Sequence, residues 1–189
     1  MSKLSLVALI ACAVSIPSAM AKHVGPQNTG TVYFEGKVFH NSCKVENKGN
    51  INVTLNPILN TKINDGEAEQ IQKFSIMVKD CYIDENWTPQ LSWVNNSALT
   101  TSEGYLKNTL FLTGSNAALV LKDNGGKNIN LRTTTQKYPP LKLSKSRDNQ
   151  TLEYAFQVGY IKSKDIFLSG PIRSGVIQTQ ATFSITYDL

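Results

Sequence analysis

Reactive side chains are scarce in this chain. Its 189 residues include two histidines, three cysteines and two tryptophans, and only 17% are charged. With His23 and His40 alone, no CxxC, and Cys43 and Cys81 lying 38 residues apart, the donor set of a tetrahedral zinc site is missing. No GxSxG elbow, HExxH helix or Cys-His pair occurs, and Asp84-Glu85 are loop neighbours that do not converge on one substrate atom. Gly125-Gly126-Lys127 lacks the spacing of a phosphate loop and no helical pattern comes after it, so it reads as a turn. An enzyme, a metal site and a bound cofactor are therefore not expected. The basic residues exceed the acidic ones by 19 to 14, but Lys62, Lys79, Lys107, Lys122, Lys142 and Arg173 are scattered rather than massed with aromatics. That is a solvated surface, not a nucleic-acid footprint. The apolar run over 4–16 has 13 residues, short of the roughly 20 that cross a bilayer.

What is present begins with that run. Lys3 precedes it, and Pro17-Ser18 and Ala19-Met20-Ala21 come after it, which is the order of a secretory signal peptide cut after Ala21. A second reading makes Leu9-Ile10-Ala11-Cys12 a lipoprotein box. It leaves an apolar core of only eight residues and apolar sequence running past the cut. Removing 1–21 leaves 168 residues with 18 basic and 14 acidic side chains, a net charge of +4. That length suits one domain, which buries roughly two-thirds of its unfolded surface. Cys12 leaves with the signal, so Cys43 and Cys81 remain as an even pair in an oxidising compartment and are expected to form a disulfide. On the chain-entropy model, closing the loop between them stabilises by about 4 kcal/mol.

The clearest periodic stretch is 30–43, GTVYFEGKVFHNSC. Val32, Phe34, Gly36 and Val38 fall on alternate positions, with Thr31, Tyr33, Glu35 and Lys37 between them. A period of two is a strand with one apolar face. It comes after a Gly-, Pro- and polar-containing tail over 22–29, so tail and strand together read as an arm, 22–38, ahead of a domain over 39–189. At the other end, Phe183, Ile185 and Tyr187 alternate with Thr182, Ser184 and Thr186, and no turn comes after them. A sandwich whose last strand ends the chain has an open position that a strand from another copy could fill.

Several more strands lie between. Residues 51–55 alternate and stop at Asn56-Pro57; 71–81 put Phe74, Ile76 and Val78 on one face; 90–94 put Leu91 and Trp93 opposite Ser92. Residues 109–112 and 117–121 are further candidates, the latter ending at the turn signal Asp123-Asn124-Gly125-Gly126. A short strand over 141–143 lies after Pro139-Pro140, and 152–161 line up Leu152, Tyr154, Phe156, Val158 and Tyr160. No helical period persists, although short helical turns fit near 66–70 or 97–104. The fold class is an all-β sandwich.

The stretch GTVYFEGKVFHNSC near the start of the mature chain, Cys81 at a strand end, the strand running into Asp-x-x-Gly and the C-terminal Phe-x-Ile-x-Tyr together resemble the pilin subunits of chaperone-usher fimbriae, the type 1 and P pilus kind. The resemblance covers the chain after the signal peptide. It implies a six-stranded immunoglobulin-like sandwich lacking its last strand, with one disulfide joining the first two strands. It implies an acceptor groove beside the C-terminal strand, with Gly175, Phe183, Ile185, Tyr187 and Leu189 as its contact residues. A periplasmic chaperone would hold that groove and anchor the terminal carboxylate, an outer-membrane usher would export the subunit, and the arm of a neighbouring pilin would then replace the chaperone strand. Here Asp188 and Leu189 come after Tyr187, one residue more than the family usually carries. The destination is a fimbrium on the cell surface. An adhesive minor pilin is the other reading, with Trp87 as a candidate sugar contact, but a tip adhesin of this family carries a lectin domain and no arm.

Overall fold

The computed structural model describes residues 31–33, 43–81, 89–143 and 150–187. The chain forms two units, Met1–Lys37 and Val38–Leu189. In the first, Val32 and Tyr33 are exposed. The signal peptide, Cys12, Phe34, Gly36, Val38, Trp87 and Leu189 lie outside the described residues.

Long alternating stretches become long strands. β1 is Lys44–Val45, β2 Glu69–Cys81, β3 Pro89–Trp93, β4 Ala118–Asp123, β5 Lys137–Tyr138, β6 Lys142–Leu143, β7 Gln150–Ile161 and β8 Phe183–Tyr187. They make two antiparallel sheets, β1-β2-β7-β4 with β6 also on β7, and β5-β3-β8. The result is the immunoglobulin-like sandwich, with eight paired segments among the described residues where six strands are expected, because β1, β5 and β6 are two-residue ladders. Among the described residues the only helical pieces are 3₁₀ turns at Glu46–Gly49, Asn60–Lys62 and Ile166–Leu168, not at 66–70 or 97–104.

β2 and β7 are the centre of the larger sheet, in register from Gln72↔Val158 through Ile76↔Tyr154 to Val78↔Leu152. The period-two pattern buries Ile76, Val78, Leu152, Tyr154, Phe156 and Val158 against the second sheet. Phe156 collects the aromatic rings of both sheets: Trp93 lies 5.1 Å away and Tyr138 5.3 Å, both edge-on. Such contacts add about 0.5–1.5 kcal/mol each to simple burial. The pairing of β2 shifts between Val78 and Cys81, where Asp80 takes the left-handed φ of 56°. A bulge re-aims the side chain next to it. Here that neighbour is Cys81, fully buried and disulfide-bonded to Cys43, which directly precedes β1.

Two stretches depart from the strand reading. Residues 109–112 form a turn, not a strand. The Asn108 side chain accepts a hydrogen bond from Leu110 N–H at 3.0 Å, and Gly114 N–H returns to the Leu110 carbonyl at 2.6 Å. An Asx-type bond of this kind offers the backbone an alternative to a ladder. Residues 51–55 keep a strand's alternation, with Ile51, Val53 and Leu55 half-buried and Asn52 and Thr54 exposed. They nevertheless pair with no strand among the described residues, since Asn47 and Lys48, both left-handed, and Gly49 turn the chain away after β1.

Candidate functional site: an open apolar groove

The unpaired stretch 51–55 forms one wall of a groove of about 680 Å³. The other wall is 179–183, whose last residue, Phe183, begins β8. Between them the floor is carbon: Phe74 and Ile76 from β2, Leu119 and Leu121 from β4, Val158 from β7, with Leu106 and the ring of Trp93. These residues belong to the main core, and Ile51, Val53, Leu55, Ile177, Phe183 and Ile185 pack on it from the rims.

The second wall is bonded along one edge. The carbonyls of Val176, Gln178 and Thr182 accept from Ser115, Thr109 and Val94 N–H at 3.2, 2.8 and 2.8 Å. Along an extended chain alternate residues address opposite edges. Ile177, Thr179 and Ala181 therefore turn their N–H and C=O groups to the other edge, where no strand pairs with them among the described residues. The groove thus has an apolar floor and unpaired backbone on both sides. It lacks a strand.

Asn108 fixes the second wall in place. Fully buried, it donates from Nδ2 to the Ser115 and Val176 carbonyls at 2.7 and 2.8 Å and accepts at Oδ1 from Leu110 and Gln178 N–H at 3.0 and 2.9 Å. All four hydrogen-bonding capacities of the amide are used. Next to it the backbones of Gly114 and Gly175 touch: a Cβ on Gly175 would sit 2.8 Å from the Gly114 carbonyl carbon and from Ser115 N. Gly175 is therefore a close-approach residue behind the wall and does not line the groove.

Of the other expected contact residues, Phe183 lines the groove, edge-on to Trp93 with ring centres 6.0 Å apart. Ile185 pairs with Leu91 and packs on the core outside the lining. Tyr187 reaches the disulfide, its hydroxyl donating to Cys43 Sγ at 2.6 Å and accepting from Cys43 N–H at 3.2 Å. Phe183, Ile185 and Tyr187 are half-buried while Thr182, Ser184 and Thr186 are exposed, as their alternation requires. Burial, with Tyr187 beside it, pushes the Tyr154 hydroxyl far above the usual phenol range, and as a neutral donor it bonds the Pro89 carbonyl at 2.9 Å. Sequence reasoning missed the wall residues Ile51, Val53, Leu55 and Thr179. The alternation of 51–55 was visible, but nothing local distinguishes a paired strand from one left open.

A family model described as fimbrial protein matches residues 32–188. The chain belongs to the fimbrial protein family. The major MR/P fimbria protein of Proteus mirabilis is 29% identical to it, over 99% of this chain and 98% of that protein. A chaperone-usher pilus structure resolves a subunit of the same fold, 18% identical with a TM-score of 0.57, covering 86% of this chain and 98% of that one. The P pilus rod subunit PapA is 17% identical with a TM-score of 0.53, over 77% of this chain and 99% of its own. This fimbrial chain therefore has the fold of chaperone-usher pilus subunits.

Proposed function

We propose that the chain is a structural subunit of a chaperone-usher fimbria and that copies join by donor-strand exchange. The arm 22–38 of one copy fills the groove of the next. The observation that carries this reading is a groove with an apolar floor whose two walls each keep, among the described residues, an unpaired backbone edge. A strand laid between them forms backbone hydrogen bonds on both sides, each worth about 0.5–1.5 kcal/mol net. Its alternate side chains, Val32, Phe34 and Val38, cover the floor while Gly36 allows close approach. Before assembly a periplasmic chaperone would occupy the same groove, and an outer-membrane usher would pass the subunit to the surface. The signal peptide 1–21 supplies the export step. Supporting cell adhesion is then a property of the fimbria as a whole, without a cofactor, a metal or nucleic acid.

Mixing chaperone-bound subunit with a synthetic peptide spanning 22–38, and monitoring release of the chaperone, tests the exchange. The peptide is expected to displace the chaperone, and deletion of 23–37 is expected to stop polymerisation while leaving chaperone binding intact. Normal fibres from the deleted chain, together with a peptide that displaces nothing, would show the arm to be an ordinary first strand.

A further inference from the structure

Large apolar side chains also lie open outside the groove, at one end of it. Leu112 is 81% and Val176 66% exposed, and Leu110 and Phe111 are each 38% exposed. The turn that carries the leucines is bonded to the stretch leading into the second wall: Thr109 N–H donates to the Gln178 carbonyl, Ser115 N–H to the Val176 carbonyl and Arg173 Nη2 to the Phe111 carbonyl. These side chains therefore gather just ahead of wall residue 179. A single exposed leucine needs no explanation, but a group of four at the mouth of a groove marks a docking surface. At the far end of the wall Tyr187 reaches Cys43, so the arm of each copy is tethered at the end away from its own patch.

Every strand pair among the described residues is antiparallel. An arm inserted antiparallel to 179–183 has its N-terminal part toward Tyr187 and leaves the groove beside 179, at the mouth where the patch lies. Resting on the donor-strand reading above, we propose that Leu110, Phe111, Leu112 and Val176 form a second docking surface for the incoming copy, with its segment 39–42 lying across them and Phe39 as the apolar contact. That segment joins the arm to Cys43 and spans at most about 14 Å when fully extended, so the body of the next copy is held close to the mouth. Thr31, Tyr33, Glu35, Lys37 and Phe39 alternate with the inward set, which turns Phe39 away from the groove floor. Of these outward side chains Phe39 is the one without a polar atom, and it is the one that emerges beside the patch. Bringing the two together takes apolar surface of both copies out of water. The contact thereby fixes the short connection between neighbouring copies, which strand insertion alone leaves free to swivel.

The test loads chaperone-bound subunit with either of two fluorescent synthetic peptides, 22–38 or 22–42, and measures their loss in mild urea against excess unlabelled 22–38. The longer peptide is expected to leave about five-fold more slowly, the range for half-burying one phenylalanine. That gain is expected to vanish when the peptide carries Phe39→Ser and when the subunit carries Leu112→Ser or Val176→Ser, while 22–38 leaves wild type and both variants at one rate. Both substituted side chains are mostly exposed, so the variants are expected to unfold in urea as wild type does, and either one decides the matter if the other does not fold. Equal loss of the two peptides from wild type, or a gain that survives in both variants, overturns the docking surface and leaves donor-strand exchange standing. Weakened chaperone binding by the Leu112→Ser subunit would assign the patch to the chaperone and overturns the proposal as well. If neither peptide enters the subunit, the docking surface and the donor-strand reading fail together.

Discussion

In β7, Leu152, Tyr154, Phe156 and Val158 are buried, and both edges are bonded, to β2 on one side and to β4 and β6 on the other. The segment 177–187 carries the same kind of alternation and buries the same kind of face, yet stays half-exposed, with one edge bonded. Alternation therefore fixes which side chains face the core, while the presence of neighbours fixes whether the strand is finished. The first is written locally in the sequence and the second is not. A closed region of this sort is stable alone; an open one holds capacity for a partner.

The largest test of that contrast is at the centre of the closed region. Phe156→Ala removes the ring that Phe74, Trp93 and Tyr138 all contact, and is expected to cost about 3–5 kcal/mol in urea unfolding of the subunit. Next comes the covalent tie between Cys43, just ahead of β1, and Cys81 at the end of β2. Cys43→Ser with Cys81→Ser is expected to cost about 2–4 kcal/mol, read as the difference between oxidised wild type and the double variant. The same change deprives the Tyr187 hydroxyl of its sulfur partner, so β8 should exchange its amide hydrogens faster as well. Asn108→Ala acts on the second wall. It leaves the Val176 and Ser115 carbonyls and the Leu110 and Gln178 amides to find water, and is expected to cost about 2–3 kcal/mol.

Acid should loosen a loop contact just after β7. Glu103 accepts hydrogen bonds from Ser163 Oγ at 2.9 Å and from Lys164 N–H at 2.5 Å. Burial raises its carboxyl, but the bonds from Lys164, Thr101 and Ser163 outweigh that and hold the group at about 2, below the ordinary 4.5. A depressed carboxylate contributes stability above its unfolded value and loses it as pH falls through the folded one. Stability is therefore expected to drop between about pH 4.5 and pH 2, by about 2 kcal/mol after solvent screening, and Glu103→Gln should flatten that slope. Urea midpoints across this pH range measure it.

The same division governs how far the sequence could be read. β2 and β7 were legible from alternation, and β4 from its apolar run ending at Asp123-Asn124-Gly125-Gly126, whose turn closes through Gly126 N–H to the Asp123 carbonyl. The inward set Phe183, Ile185, Tyr187 was legible for the same reason. Residues 109–112 misled, because Leu110, Phe111 and Leu112 look like a strand while a single buried amide at Asn108 turns them outward. Gly175 carried a true signal with a different cause: it is a glycine for its contact with Gly114, not for the groove. The bulge at Asp80 left no trace in the pattern, since its neighbours decide the register. The groove walls belong to that class too, being defined by partners absent from their own stretches of chain.

The smallest effect on the subunit should be the most informative about the groove. Phe183 is half-buried, touches Trp93 edge-on and lines the groove from the second wall. In the open subunit part of its ring already faces solvent, so Phe183→Ala forfeits only a fraction of a buried aromatic, about 1–2 kcal/mol. A strand lying between the walls would cover the remaining surface, and the same substitution should then cost more, because the full ring is desolvated and the wall it braces carries hydrogen bonds on both edges. Comparing urea unfolding of the subunit alone with that of subunit saturated by the 22–38 peptide separates the two states, and the ligated state is expected to lose about 1 kcal/mol more than the free one. The mirror experiment on Phe156 should give the same loss in both, since that ring is 2% exposed before anything binds. Equal losses at Phe183 in the two states would mean that the occupant never reaches this wall, and the distinction drawn between a closed and an open region would then fail where it matters most.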